Sequence, residues 1–423
     1  MTTSRTQPAT GYLARVTAAI EAELPAAVRL RQRIHADPRI SGAEEVTRDL
    51  VVAAVTDDSP RGQVSAVADT GAIVHLPIPG ASGSPVAVRA ELDALEVTET
   101  TGVGWASTRP GVMHACGHDV HLAALTCLLR ALAVTGGPAP VTAILQPREE
   151  TAPSGARDVL LSGSLPTGCA AVIAAHVQPQ LSAGVTACTP GTVNASSDEF
   201  SVTVTGQGGH AAYPHTTKDP IAALAHIVTA VQSLRSRHID PTATAVVAVT
   251  RLEGGTTTNV IPDRATAYGT IRADSAADRA TLAKELTQLC VAMAGAYGCA
   301  TQVTITEGEP PLHNDPALAN RTARQLESLG STVVRDMRSA GSDDFAFYSG
   351  QMPSLMMFVG VDNGSACRNP EDSRLHSGGF LPTDRAVRDV TYALLAGYLA
   401  AAAGRTRHDA SVTSWGNGQG GAA

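Results

Sequence analysis

Between Gly111 and Leu122 the chain reads GVMHACGHDVHL, which sets His114, Cys116, His118, Asp119 and His121 within eight positions. So many soft and polar donors in an otherwise apolar stretch are hard to satisfy as packing. Cys116 and His118 are two apart, so an extended or loop segment points both side chains the same way, and thiolate and imidazole both suit borderline-soft divalent ions. The same residues also permit a thiol nucleophile at Cys116, activated by a nearby histidine. That alternative gives no role to the next cluster. The strand-like VTAILQP runs into REE, which brings Glu149 and Glu150 side by side at a strand's carboxyl end. Adjacent carboxylates point in different directions, so one is free to bind metal while the other handles protons. VIAAH delivers His176 at the end of another strand, and SRLHSGGF carries His376 in a loop near the C-terminus. A lone strand-end histidine or a Glu-Glu pair is more often a solvated or hydrogen-bonded residue than a ligand. Four separate loops meeting at one sheet edge change that balance.

The elements that must position these loops are legible as alternation. An amphipathic helix is expected over Leu13–His35, followed by the turn DPRISGAEE and a second helix. GAIVHLPI, SPVAVRAELDAL, PVTAILQP and AAVIAAH are short Val-, Ile- and Ala-rich runs bounded by Gly, Pro and Ser, with helical stretches between. Near-continuous apolar strands alternating with helices predict an α/β domain with a largely parallel sheet, and ligands gather beyond the carboxyl ends of such strands. From Phe200 the pattern changes: FSVTVTG alternates like a half-exposed strand. A helix over Pro220–Arg235, strands TAVVAVTRLEGG and RATAYGTIRA, a helix over Ser275–Tyr297 and the strand CATQVTITEG complete a β-α-β-β-α-β, ferredoxin-like order. The chain then returns through EGEPPLHND to helix and strand (SLMMFVGV) and ends in a helix over Thr383–Ala402. The expected organisation is a discontinuous domain (12–190 and 310–405) with a second domain inserted into it (191–309), and disordered tails (1–11 and 406–423).

Composition excludes other classes. Across 423 residues the net charge is −8, charged residues are 17% and no basic block tracks phosphates, so nucleic acid is not an expected partner. No apolar run reaches the ~18 residues of a membrane span, and the N-terminal MTTSRTQPATGYLARV has no apolar leader core. A soluble, cytoplasmic protein is expected. Seven scattered cysteines, an odd number, argue against a disulfide framework.

Taken in order, RQRIHADP, VAVRAELDAL, GVMHACGHDVH, QPREE, AAHVQP, GQGGHAAYPH, GGTTTNVIPDRA, GTIRA, PPLHND, GSDDFAFY and LHSGGF resemble the M20 metallopeptidases. The likeness is to the subgroup of N-acyl-amino-acid, hippurate and indoleacetyl-amino-acid amidohydrolases, and it covers nearly the whole chain. It implies a zinc-peptidase-like catalytic domain with a lid, and two divalent metal ions per subunit, Zn or Mn with Co or Ni also accommodated. The implied ligands are Cys116, His118, Glu150, His176 and His376, with Glu149 as general base. His210 is implied to stabilise the oxyanion from the lid, often in the partner subunit's site of a homodimer. Asn259 and Arg272 are implied to receive the substrate carboxylate. The implied reaction is cleavage of an N-acyl amino acid to a carboxylic acid and a free amino acid. Its alternatives are an M20-type dipeptidase, an N-carbamoyl amidohydrolase, a Cys116-dependent thiol amidase and a non-catalytic metal-binding scaffold. The chain departs from the family pattern at Glu91 (usually Asp), Glu96 (usually Pro), Arg148 (usually small) and Asp343-Asp344 (usually Glu-Asp). Arg148, beside the expected base, is positioned in sequence to shift its pKa or touch substrate. Asp93 and Asp119 are expected to orient ligand imidazoles.

Overall fold

The strands that form the centre of the main sheet are buried along their length: Val86–Glu91, Val141–Gln146 and Ser354–Gly360 throughout, and Ala171–Gln178 up to its last residue. A strand covered on both faces has no polar side to alternate with, which is why these runs read as continuous apolar sequence. A computed structural model describes residues 7–56, 62–364 and 373–404. In it an eight-stranded sheet runs Gln63–Val67, Gly71–Leu76, Val141–Gln146, Val86–Glu91, Ala171–Gln178, Ser354–Gly360, Val185–Ala187, Thr332–Val334. The four central strands pair in parallel, and antiparallel pairings flank them on both sides. The sheet is therefore largely parallel at its centre, where the site lies.

Helices Gln7–Ala36, His118–Thr135 and Arg385–Ala403 close one face over the larger apolar core, with Val88, Leu125, Ile173 and Leu394 in its middle. Gly155–Leu161 and Ala346–Ser349 cover the other face around Ile144, Val172 and Met356. A second sheet, Ala245–Gly254, Arg264–Ala273, Asp198–Thr205, Ala300–Glu307, is antiparallel throughout. Helices Pro220–Val231 and Ala276–Ala296 pack on it through Leu224, Ile227, Leu282 and Leu286. Its strand order is that of a ferredoxin-like βαββαβ unit.

The details differ from expectation where local signals were weak. The first helix starts at Gln7, so residues 7–11 are helical and not a disordered tail. The expected helix over Pro220–Arg235 stops at Val231, and a separate short helix spans Leu234–His238. Gly191–Asn194 pairs with Leu312–Asn314, so the four-stranded sheet occupies only Asp198 to Glu307 within the expected 191–309 insert. The C-terminal tail from 405 and Cys367 lie outside the described residues. Cys116, Cys127, Cys188, Cys290 and Cys299 are free and buried, and Cys169 is buried with its Sγ against the Pro85 and Ala171 carbonyls. Among the described residues no helix is long and apolar enough to cross a membrane.

Candidate active site

Gly117 makes the first part of the site possible. It sits at φ 85°, in the left-handed region, immediately before helix His118–Thr135, and a Cβ there would meet Val177 Cγ2 at 2.5 Å. Any other residue would be strained twice, by its backbone and by its neighbour. The turn folds Cys116 and His118 toward each other, and Cys116 Sγ, a His118 ring nitrogen and a Glu150 carboxylate oxygen all lie within 4.8 Å of one another. His118 Nδ1 donates to the Asp93 carbonyl oxygen at 2.9 Å. A carbonyl only accepts, so this bond places a proton on Nδ1 and turns Nε2 toward Glu149 (3.9 Å) and Glu150 (4.0 Å).

The two glutamates follow strand Val141–Gln146 through Pro147 and Arg148, whose φ of 52° turns the chain sharply. Asp93 braces that turn: its Oδ2 accepts from the Glu150 amide at 2.9 Å and from Ser41 Oγ at 2.7 Å. His176, near the end of Ala171–Gln178, donates Nδ1 to the Val177 carbonyl at 2.7 Å and places Nε2 3.4 Å from Cys116 Sγ. His376, at φ 64°, is pinned by its amide to the Ala115 carbonyl (2.8 Å) and brings Nε2 to 3.2 Å from Glu150 Oε1. Cys116, Glu149, Glu150, His176 and His376 thus line one cavity of about 260 Å³, with His118 behind them.

The donor set fits cations. His118 Nε2 and Glu150 Oε1 are buried and make no hydrogen bond, although Glu150 Oε1 has the His376 ring nitrogen at 3.2 Å; such an arrangement costs free energy unless something positive satisfies both. Burial alone would lower the His118 pKa, yet Glu91, Asp93 and Glu150 outweigh it and push it up to about 10. The pocket attracts positive charge at the very atom that faces the other donors. Burial, with Glu150 and Glu149 beside it, drives the Cys116 thiol well up, which is the wrong direction for a free thiolate nucleophile. Glu149 is pushed well above the usual carboxylate range by burial and by Glu150, Asp343 and Asp344, against the pull of Arg89. A carboxyl shifted in this direction holds its proton more readily, which suits a group that must also donate one.

Arg89 is the residue that sequence reasoning overlooked. It is fully buried and bonds Glu91, Asp344 Oδ1 (2.6 Å) and Gln146 Oε1 (3.0 Å), with Asp343 Oδ1 at 3.4 Å. An arginine in the middle of the apolar run VAVRAE was the available signal, since a charge there is tolerated only when paired. Glu91 continues the chain by accepting from His121 Nδ1 at 2.8 Å, and His121 Nε2 accepts from the Val177 amide at 3.0 Å. Both His121 nitrogens are therefore engaged, so this ring braces the strand end that carries His176. On the far side of the helix, Asp119 accepts from Arg31 Nε (3.1 Å) and His35 Nδ1 (3.0 Å) and contacts no ligand imidazole. Arg148 does not act as expected: its guanidinium turns away from Glu149 to Asp158 (2.5 Å) and Asp69 (3.6 Å).

The lid contributes unequally. Arg272 Nη1 donates to Ser342 Oγ at 3.1 Å, and Ser342 lines the cavity, so Arg272 stands at its rim. His210 and Asn259 lie together on an exposed two-stranded ribbon, where His210 pairs with Val260 and the Ala211 amide donates to the Asn259 carbonyl. Neither lines the cavity of its own chain.

Comparison with known proteins agrees with this geometry. Residues 87–378 match the family described as Peptidase family M20/M25/M40. The chain is 33% identical over 346 residues to an N-acetylcysteine deacetylase of Bacillus subtilis (strain 168), covering 81% of this chain and 90% of that one. It is 31% identical over 363 residues to an N-acetyldiaminopimelate deacetylase of Shouchella clausii (strain KSM-K16), covering 85% and 94%. A Bacillus subtilis crystal structure described as a dinuclear metal-binding peptidase from the M20 family superposes with a TM-score of 0.78 at 28% identity, covering 90% of this chain and 98% of that one. With a family match across residues 87–378 and a relative 33% identical over 81% of this chain, the chain belongs to the M20 peptidase family.

Proposed function

We propose that this protein hydrolyses the amide bond of N-acyl amino acids, releasing a carboxylic acid and a free amino acid. The observation that carries the reading is the convergence of Cys116, Glu149, Glu150, His176 and His376 on one cavity, with His118 Nε2 buried and without a hydrogen bond beside it. Cys116, His118, Glu150, His176 and His376 would hold two divalent ions, Zn or Mn by preference, with Co or Ni suited to the same mixed donors. Bound there, the ions would supply Lewis acidity to the scissile carbonyl and to the attacking water.

The remaining work falls to side chains. Glu149 takes a proton from the water as its oxygen adds to the carbonyl carbon, then delivers that proton to the amide nitrogen as the C–N bond breaks. The raised pKa described above lets one carboxyl do both. Asp93 and the Glu91–His121 pair keep His118 and His176 in register. Arg272 at the rim receives the substrate carboxylate, for which a guanidinium fork is well shaped.

His210 and Asn259 are exposed and off the cavity, which supports a homodimer in which the ribbon of one lid serves its partner's site. Exposed Tyr213, Ile221, Leu252 and Val260 on the lid supply apolar surface for that contact. A cytoplasmic setting completes the reading, supported by the free thiols of Cys116, Cys127, Cys188, Cys290 and Cys299.

The test is a panel of N-acyl amino acids, dipeptides and N-carbamoyl amino acids, offered to protein stripped of metal and then reconstituted. Release of free amino acid only after reconstitution, and chiefly from the N-acyl series, is expected. Turnover by protein shown by elemental analysis to hold no metal would return the reading to a Cys116 amidase.

A further inference from the structure

Two buried asparagines near the site are treated differently by the fold. Asn314 is fully buried and fully used: Nδ2 donates to the Thr189 and Met356 carbonyls and Oδ1 accepts from the Met356 amide. Asn194 is 6% exposed and its Oδ1 is buried with no hydrogen-bond partner. Leaving a buried carboxamide oxygen unpaired is unfavourable, and native folds rarely do so without a use for it.

Asn194 is also held rigidly in a telling place. It ends strand Gly191–Asn194 and lines the active-site cavity. The Ser339 amide donates to the Val193 carbonyl (2.8 Å) and the Ala195 amide to the Ser339 carbonyl (3.1 Å), so the backbone on either side of Asn194 is clamped to one residue. Ser339, Ser342 and Gln178 line the same cavity and make this wall polar. Two residues on, the Ser196 amide donates to the Ala273 carbonyl (2.7 Å), next to Arg272, whose guanidinium reaches Ser342. Asn194 therefore sits at the end of the cavity where Arg272 would take the substrate carboxylate.

We infer that Asn194 is a specificity-determining residue that hydrogen-bonds a polar, uncharged side chain on the amino-acid half of the substrate. A carboxamide offers one acceptor and two donors, which matches a hydroxyl or another carboxamide and leaves a hydrocarbon side chain with nothing to pair. This deepens the amidohydrolase reading and rests on it for the identity of the two substrate halves.

The experiment uses pairs of equal shape. In one arm, kcat/KM is compared for N-acetyl-L-threonine against N-acetyl-L-valine and N-acetyl-L-asparagine against N-acetyl-L-leucine. In the other, N-glycolyl-L-alanine is compared with N-propionyl-L-alanine, which moves the hydroxyl to the acyl half. Wild type is expected to favour the polar member by ~10-fold or more in the first arm, about the worth of one hydrogen bond, and to discriminate little in the second. Asn194→Leu should level the first arm while metal content stays unchanged, and its Tm should equal or exceed that of wild type because an unpaired polar group has gone. Equal rates in the first arm, a preference confined to the acyl arm, or a preference that survives Asn194→Leu would each overturn the inference. The stability readout does not depend on activity: a Tm several degrees lower in Asn194→Leu would make the carboxamide a structural group and end the proposal. Failure of every N-acyl substrate would instead remove the amidohydrolase reading, and the inference with it.

Discussion

Arg89 Nη2 lies 2.6 Å from Asp344 Oδ1 with both side chains out of solvent, at the centre of a cluster that also holds Glu91 and Asp343. One guanidinium thus stands among three carboxylates beneath the site. Burial opposes the charge on Asp344 more than Arg89 supports it, and its pKa rises to about 7. Removing the cation should therefore be severe. Arg89→Met is expected to destabilise the protein by about 3 to 5 kcal/mol, the scale of breaking a buried pair on one side. Urea denaturation checks this, and adding Asp344→Asn to Arg89→Met should recover part of the loss. An Arg89→Met protein as stable as wild type would mean that the cluster carries no net charge in the native state.

The roles of the paired glutamates separate by measurement. Glu149→Gln should keep its metal content and lose at least ~100-fold in kcat, the size expected of a general base. Glu150→Gln should lose metal, read by elemental analysis after dialysis. Near-normal kcat in a fully loaded Glu149→Gln protein would reassign the base.

His35 gives the fold a pH dependence of definite sign. Burial lowers its pKa, but bonds and charge from Asp119 and Glu99 prevail and raise it to about 9. A histidine whose folded pKa exceeds its ordinary value of 6.5 stabilises the native state fully below about pH 6.5, and that contribution is lost as pH rises through about 9. The amount at stake is on the order of 3 kcal/mol. Denaturation midpoints measured from pH 6 to 10 should fall for wild type, with a shallower fall for His35→Gln. Parallel profiles for the two proteins would place the titration elsewhere.

Complementation tests the lid. If His210 of one protomer completes the partner's site, His210→Ala and Glu149→Ala proteins are each nearly inactive. After subunit exchange about half of the dimers are hybrids with one intact composite site, so roughly a quarter of wild-type activity should return. An inactive mixture in which hybrid dimers are demonstrated would confine His210 to its own chain or to no role in the reaction.

Much of this site was legible in the chain because its information is local. Strand ends, the two-residue spacing of Cys116 and His118, and the Glu149-Glu150 step each follow from the backbone geometry of about ten neighbouring residues. The α/β alternation and the βαββαβ insert were readable for the same reason: hydrophobic periodicity records how many faces an element buries. What the sequence could not state is which distant partner each buried charge meets. Arg89 and Asp344 are 255 residues apart and meet only once strand Val86–Glu91 is seated beside Val141–Gln146 at the sheet centre. Arg148 adjoins Glu149 in sequence, yet a left-handed backbone turn swings it toward Asp158. His210, Asn259 and Arg272 look equivalent as lid residues, and only sheet register sets Arg272 against Ser342 while leaving the other two on an exposed ribbon. Side-chain direction is a property of pairing, and pairing between strands far apart in the chain is decided by the free energy of the whole core.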